Sequence, residues 1–226
     1  MALILSIETS TKVCSVAVHR DGELLASQVH QVERSHSSLL PGIGIEVCKE
    51  VNITFTDLDA VAVSSGPGSY TGLRIGVSTA KGICYSLNKK LISIPSLDVM
   101  TESVRAKFLG DHLLCPMMDA RRMEVYTQIE NQNGDIVWEL APKVLNENTF
   151  SEFESPLYLF GDGMPKFREI VEQKNLIFID DIFPNAKNMG RIAEEKFNKE
   201  EIEDVAYFEP NYLKEWRTTT PKKQLT

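Results

Sequence analysis

The chain has 226 residues, of which 42% are hydrophobic and 25% are charged, proportions typical of a folded globular protein rather than a disordered or collagen-like one. Lysine and arginine number 24 against 32 aspartates and glutamates, giving a formal net charge of −8. Residues 1–110 carry 10 charges of each sign, whereas residues 111–226 carry 14 basic and 22 acidic side chains. This excess of acidic residues argues against a protein that binds nucleic acid on its own, because such proteins cluster Lys and Arg against phosphates.

No apolar run approaches the roughly 18 residues that a membrane span requires, and the opening segment 2–5 is too short for a signal peptide. We therefore expect a cytoplasmic protein. The four cysteines form no C-x-x-C pair and lie in apolar stretches, which predicts buried, reduced thiols; they are Cys14, Cys48, Cys84 and Cys115. No histidines have metal-ligand spacing, so the sequence predicts no metal site.

Apolar runs bounded by turn residues predict the elements of the first half. Three antiparallel strands open the chain at residues 2–8, 13–19 and 24–31, and an Asp-Gly turn joins the last two. There follow a helix at about 35–51, a strand at 59–65, a glycine-rich loop at 66–72, a helix at 73–87 and a strand at 91–94.

The second half partly repeats this order. Its predicted strands are at 113–118, 125–130, 136–140, 157–160 and 177–179, and its predicted helices are at 165–173 and 186–198. This repetition favours a duplicated α/β unit, with a first domain at 1–105 and a second at 106–226. The end of the chain, from Thr218, lacks apolar side chains and is expected to be mobile.

Two turns are candidates for holding the phosphates of a nucleotide. Thr9, Ser10 and Thr11 follow the first strand, and hydroxyl and backbone N–H groups in a tight turn can bind phosphate. Gly161 and Gly163 lie between a strand and a helix, where glycine permits close approach of the backbone to a ligand. Ordinary turns explain both segments as well, so both interpretations stay open.

The helix at 73–87 has an apolar core stripe and a second face of small, uncharged side chains. Solvated helix faces normally carry Lys and Glu, whereas this face suits close approach by another helix. Burial under the second half of the same chain is the alternative. The residues predicted to contact a partner are Ile75, Ser78, Thr79, Gly82 and Ile83.

A charged turn lies between two predicted strands of the second half. Asp119 and Arg121 in this turn are predicted to form a local ion pair. No convincing pair of nucleophile and base is visible in the sequence, so the residues alone predict no catalytic group.

Five motifs together resemble the TsaB (YeaZ) family of bacterial proteins in tRNA threonylcarbamoyladenosine synthesis. The resemblance covers essentially the full length and is most specific at residues 66–76. The motifs are Ile7-Glu8-Thr9-Ser10, Arg34-Ser35-His36-Ser37, the glycine-rich segment 65–76, Ile94-Pro95-Ser96-Leu97 and Met118-Asp119-Ala120-Arg121.

The resemblance implies an α/β protein of the actin-like ATPase (ASKHA) superfold, with two tandem RNase H-like domains. It implies a catalytic paralogue, TsaD, which adds a threonylcarbamoyl group to the adenosine beside the anticodon of tRNA. This chain would be the non-catalytic partner and stabiliser of TsaD, forming a homodimer when alone. The ATPase TsaE would join the complex, and tRNA would bind only within it. Pairing through two helices of the first domain adds Leu40 to the predicted interface.

Departures from the TsaD pattern bear on catalysis. TsaD proteins carry an acidic pair where this chain has Lys12 and Val13, and a metal-binding histidine pair where it has Ser96 and Met100. The resemblance therefore implies no catalytic and no metal-binding residues, no required cofactor, and at most weak ATP or ADP binding. The alternatives are a glycoprotease-like metallopeptidase and a stand-alone small-molecule kinase of the same superfold.

Overall fold

The computed structural model describes residues 2–31, 36–105, 107–108 and 110–214. Two five-stranded sheets and five helices form its frame. The first sheet contains β1 (Leu3–Glu8), β2 (Val13–Arg20), β3 (Glu23–Gln31), β4 (Ala60–Gly66) and β5 (Lys90–Pro95). The second contains β6 (Leu113–Asp119), β7 (Glu124–Asn131), β8 (Ile136–Val144), β9 (Leu157–Phe160) and β10 (Leu176–Ile179). The helices are α1 (His36–Glu50), α2 (Tyr70–Leu87), α3 (Ser96–Arg105), α4 (Pro165–Arg168) and α5 (Gly190–Asn198).

The two sheets have the same topology. The strand order is β3-β2-β1-β4-β5 in the first and β8-β7-β6-β9-β10 in the second. In each sheet the first three strands pair antiparallel, the fourth pairs in parallel with the central strand, and the fifth pairs in parallel with the fourth. This repeated order confirms the predicted fold class, an actin-like ATPase superfold of two RNase H-like units.

Helices cover both faces of the first sheet. α1 and α2 pack on one face through side chains that include Ile43 and Ala80, and α3 and α5 pack on the other through Val99 and Ala193. β1 and β4 are buried along their whole length. These strands read as continuous apolar runs because neither face meets solvent.

The structure contains one helix that the sequence analysis did not predict. α3 presents Leu97, Met100 and Val104, at helical spacing, to the core beside the second sheet. Its Val99 contributes to the core beneath the first sheet. α3 therefore packs against both halves of the molecule.

After the second sheet, the chain returns to the first. A 3-10 turn at Ala186–Asn188 and helix α5 both contact strands of the first sheet. The division between 1–105 and 106–226 stays a prediction, and this return shows that residues of the second segment complete the first core. The end of the chain that was expected to be mobile, from Thr218, lies outside the described residues.

Two predicted helices differ in extent from those observed. α4 has four residues rather than nine, because the N–H of Ile170 bonds to the carbonyl of Phe167 at 3.1 Å and closes a tighter turn. α5 begins at Gly190 rather than at 186, since the preceding residues form the 3-10 turn. The side chain of Asn185 caps that turn by accepting from the N–H of Lys187 at 3.0 Å.

All four cysteines are free and buried, which confirms their prediction as reduced core thiols. Burial raises the pKa of Cys14, Cys48 and Cys84 to about 11 and that of Cys115 to about 12. No helix in the described ranges is long and apolar enough to cross a membrane.

Candidate functional site

The N-terminal end of α2 is fixed onto the turn that follows β1. The side chain of Ser69 caps the helix by accepting from the N–H of Gly72 at 3.2 Å. The N–H of Ser69 in turn donates to the carbonyl of Ser10 at 2.6 Å. The glycine-rich loop therefore anchors α2 to its own sheet.

Two glycines let α2 lie directly against this turn. A Cβ at Gly72 would lie 2.1 Å from the carbonyl oxygen of Thr9, and a Cβ at Gly76 would lie 2.3 Å from the Thr9 hydroxyl. That hydroxyl donates to the carbonyl of Gly72 at 2.8 Å. Part of the small-residue character of α2 thus serves internal packing rather than partner contact.

Several polar groups of the predicted phosphate-binding turn bond within the protein, whereas the Ser10 hydroxyl is buried without a hydrogen-bond partner. The N–H of Thr9 lies 3.4 Å from the Ser64 hydroxyl, and the N–H of Ser10 donates to a Glu8 carboxylate oxygen at 2.5 Å. The hydroxyl of Thr11 accepts from the N–H of the next residue but one, at 3.2 Å. Thr9 and Ser10 are buried, and Thr11 is half-buried. Nucleotide binding here stays a prediction.

Gly161 and Gly163 pack against the second sheet. A Cβ at Gly161, where φ is +104°, would lie 2.3 Å from the carbonyl of Met117, and a Cβ at Gly163 would lie 2.7 Å from a methyl of Val125. Close packing accounts for both glycines. Among the described residues, no hydrogen bond joins this segment to Thr9, Ser10 or Thr11.

Glu8, at the end of β1, is fully buried under this turn. Desolvation raises its pKa from 4.5 to about 7, although hydrogen bonds from Ser10 and Ser64 act in the opposite direction. One carboxylate oxygen, Oε2, has no hydrogen-bond partner. The carboxyl group is therefore held in a site that favours its neutral form.

The predicted ion pair between Asp119 and Arg121 is wrong. Asp119 pairs instead with Lys166, which α4 brings from across the second sheet. Arg121 contacts Asp119 through its backbone N–H, at 3.2 Å.

The exposed face of α2 lies on the side away from the sheet. Ser78 and Gly82 are exposed, and a Cβ at Gly82 would meet no atom within 4 Å. Ile75 and Thr79 are half-buried beside them. Four of the predicted interface residues thus retain some exposure.

The other two predicted interface residues lie in the core. Leu40 is only 1% exposed and Ile83 only 9%, and both pack in the cluster between the first sheet and its helices. Leu40 and Ile83 are therefore corrected from partner contacts to core residues. The apolar spacing of α1 did not distinguish the two roles.

Three exposed apolar or aromatic side chains near this face were missed. Tyr85 is 86% exposed, and Leu39 and Ile45 on α1 are 44% and 45% exposed. Tyr85 follows Ser78 by seven residues, a spacing that places both on one side of a helix. That spacing is the signal that could have identified it.

At the positions where TsaD proteins are expected to carry catalytic and metal-binding groups, this chain has side chains of other types. Lys12 is exposed in the turn after β1, and Val13 begins β2. The Ser96 hydroxyl is buried without a hydrogen-bond partner, and Met100 is fully buried in the core. In the part of the chain that the structure describes, no three His, Cys, Asp or Glu residues are grouped to hold a metal.

Comparison with known proteins gives concordant matches. The sequence model of the family described as TsaD, tRNA N6-adenosine threonylcarbamoyltransferase, matches residues 23–215. The tRNA threonylcarbamoyladenosine biosynthesis protein TsaB of Escherichia coli K12 is 27% identical, over 93% of this chain and 94% of that protein. The TsaB protein of Bacillus subtilis 168 is 31% identical, over 62% of this chain and 59% of that protein. The solved structure of YeaZ from Pseudomonas aeruginosa has a TM-score of 0.81 at 23% identity, covering 94% of this chain and all of that one.

The two sheets of identical topology, with the helices that pack on them, define a protein of the actin-like ATPase superfold. Because the family model spans most of the sequence, the chain belongs to the TsaD family. The resemblance to TsaB (YeaZ) proteins is confirmed by relatives of that name along nearly the whole chain.

Proposed function

We propose that this chain is a non-catalytic partner and stabiliser of a TsaD subunit, within the complex that adds a threonylcarbamoyl group to tRNA. The observation that carries this proposal is the uncharged, open face of α2 at Ser78 and Gly82. Small residues let another helix approach closely, and interface centres are depleted of charge. The names of the full-length relatives support the pathway.

The residues at the four departures from the TsaD pattern support a non-catalytic role. A lysine at position 12 opposes binding of a metal cation, and a buried methionine at position 100 is a poor ligand for a hard metal. TsaE and tRNA would then meet this chain only through the complex, in the cytoplasm. The isolated chain would form a homodimer, with at most weak affinity for ATP or ADP.

The direct test is light scattering after size exclusion, with the chain alone and mixed with the TsaD paralogue of the same organism. The mixture is also assayed for threonylcarbamoyl transfer to tRNA. We expect a 1:1 complex, and transfer only when TsaD is present. Turnover by this chain alone, or no association, would contradict the proposal.

We expect Gly82→Trp to weaken the complex by more than about tenfold, because the indole would fill the space that a partner helix needs. The variant should fold normally, since a side chain at this position meets no neighbouring atom. Isothermal titration with TsaD measures the affinity. Val137→Trp, at an exposed position of β8, is the matched control and should bind like the wild type.

A further inference from the structure

After α5 the chain makes a turn at residues 205–207 and continues beside α2 in a segment that we call the C-terminal strap (residues 204–214). The ammonium group of Lys81 on α2 donates to two strap carbonyls, at 3.0 and 3.1 Å. The N–H of Asn211 donates to the carbonyl of Ser65 at 2.7 Å. These bonds fix the strap along one side of the exposed face of α2.

The exposed tyrosines concentrate on α2 and the strap. The chain has six tyrosines, and four of them are exposed by 38–86%. Tyrosine is enriched, relative to the rest of the surface, where proteins bind one another. The four are Tyr70 and Tyr85 on α2, and Tyr207 and Tyr212 on the strap.

Two of these tyrosines stack with an arginine. The ring centroids of Tyr70 and Tyr212 are 4.9 Å apart, and the guanidinium carbon of Arg74 lies 4.5 Å from the Tyr70 centroid. Arg74 also hydrogen-bonds the Tyr212 side chain. Among the described residues, Arg74 has no carboxylate within salt-bridge distance. The stack therefore holds a planar cation that no carboxylate among the described residues contacts directly.

The charges on this face favour binding of a different protein over binding of a second copy of this chain. α2 carries Arg74 and Lys81 and no carboxylate, and Glu209 is the acidic residue that acts on Arg74 from the strap. In a two-fold contact through this face, each cationic helix would meet itself. A carboxylate-bearing partner would instead neutralise Arg74, and a planar guanidinium is suited to bidentate carboxylate binding.

We propose that the strap completes the partner-binding face of α2, and that the Tyr70–Arg74–Tyr212 stack receives a carboxylate side chain of the TsaD subunit. This inference rests on the proposed function and deepens it. The interface then contains both α2, from the first half of the chain, and the strap, from near its end. The strap then contributes to choice of partner, beyond the small residues of α2.

The test measures the affinity of the full chain for the TsaD paralogue of the same organism in Arg74→Gln and Tyr207→Ser variants. Each is expected to weaken binding by about tenfold or more, with an unchanged melting temperature of the isolated variant. Tyr207 is 84% exposed, so its loss leaves the fold intact. Added salt should weaken the wild-type complex more than the Arg74→Gln complex.

Val137→Ser, an exposed apolar residue of β8, is the control and should bind like the wild type. If the Arg74→Gln and Tyr207→Ser variants both bind within about twofold of wild type while Gly82→Trp does not bind, the inference falls and the proposed function stands. If the wild type does not bind TsaD, both fall. If the variants lose only self-association on light scattering, the occupant is a second copy and the inference is wrong.

Discussion

Replacing Gly72 by alanine is expected to destabilise the chain by about 3 kcal/mol. The added Cβ would lie 2.1 Å from the carbonyl oxygen of Thr9, a backbone atom that no side-chain rotation can move away. α2 and the turn after β1 would have to separate, and the hydrogen bond from the Thr9 hydroxyl to the Gly72 carbonyl would be lost. Urea unfolding followed by circular dichroism measures the change in free energy.

Gly82→Ala on the same helix is the matched control. Its Cβ would meet no atom within 4 Å, so the higher helix propensity of alanine should stabilise the chain by about 1 kcal/mol. The two substitutions are chemically identical and should act with opposite signs. Equal effects would contradict the assignment of Gly72 to internal packing and Gly82 to an open surface.

Glu8→Gln is expected to stabilise the chain by about 3 kcal/mol at pH 8 and by little at pH 4. Burial raises the pKa of Glu8 from 4.5 to about 7, so the folded state binds a proton more tightly than the unfolded state. The stability contributed by this group is therefore present below pH 4.5 and is lost as pH rises through 7. Glutamine removes the charge and keeps an amide oxygen to accept from the N–H of Ser10.

The measurement is urea unfolding of both proteins at pH 4, 5.5 and 8. Burial also raises the pKa values of Asp98, Glu130 and Asp162. These groups are present in both proteins, so the difference in unfolding free energy between wild type and variant reports on Glu8. Glu147→Gln, at an exposed carboxylate, is the control for removal of one negative charge. A difference for Glu8→Gln that does not change with pH would show that Glu8 is not held in its neutral form.

Strand positions were predictable where a strand is a short apolar run bounded by turn residues. β1 and β4 illustrate this, since both are buried on two faces and lack polar alternation. The sequence predicted a duplicated α/β unit but not the strand order that the two sheets share. α3 escaped prediction because it follows β5 without a break and divides its apolar residues between two cores.

The candidate site was predictable only in part. The wheel of α2 identifies small residues, but it does not distinguish Gly72, which packs against Thr9, from Gly82, which faces open space. The prediction for Leu40 was wrong for the same reason. The sequence pattern of an apolar helix residue is the same whether the protein's own sheet or a partner protein covers it. The strap has no periodic pattern, and its path is defined by long-range hydrogen bonds from Lys81 to strap carbonyls and from the N–H of Asn211 to the carbonyl of Ser65. The spacing of residues in the sequence does not predict such long-range hydrogen bonds.

The burial of all four native thiols has a practical consequence for studying this surface. A thiol reacts as its thiolate, and burial disfavours that form at every native cysteine, with pKa values of about 11 to 12. A cysteine introduced at an exposed position such as Gly82 or Tyr207 would therefore react selectively in the folded wild-type background. A fluorophore or cross-linker attached there would report partner docking from one known point on the molecule, without prior removal of any native residue.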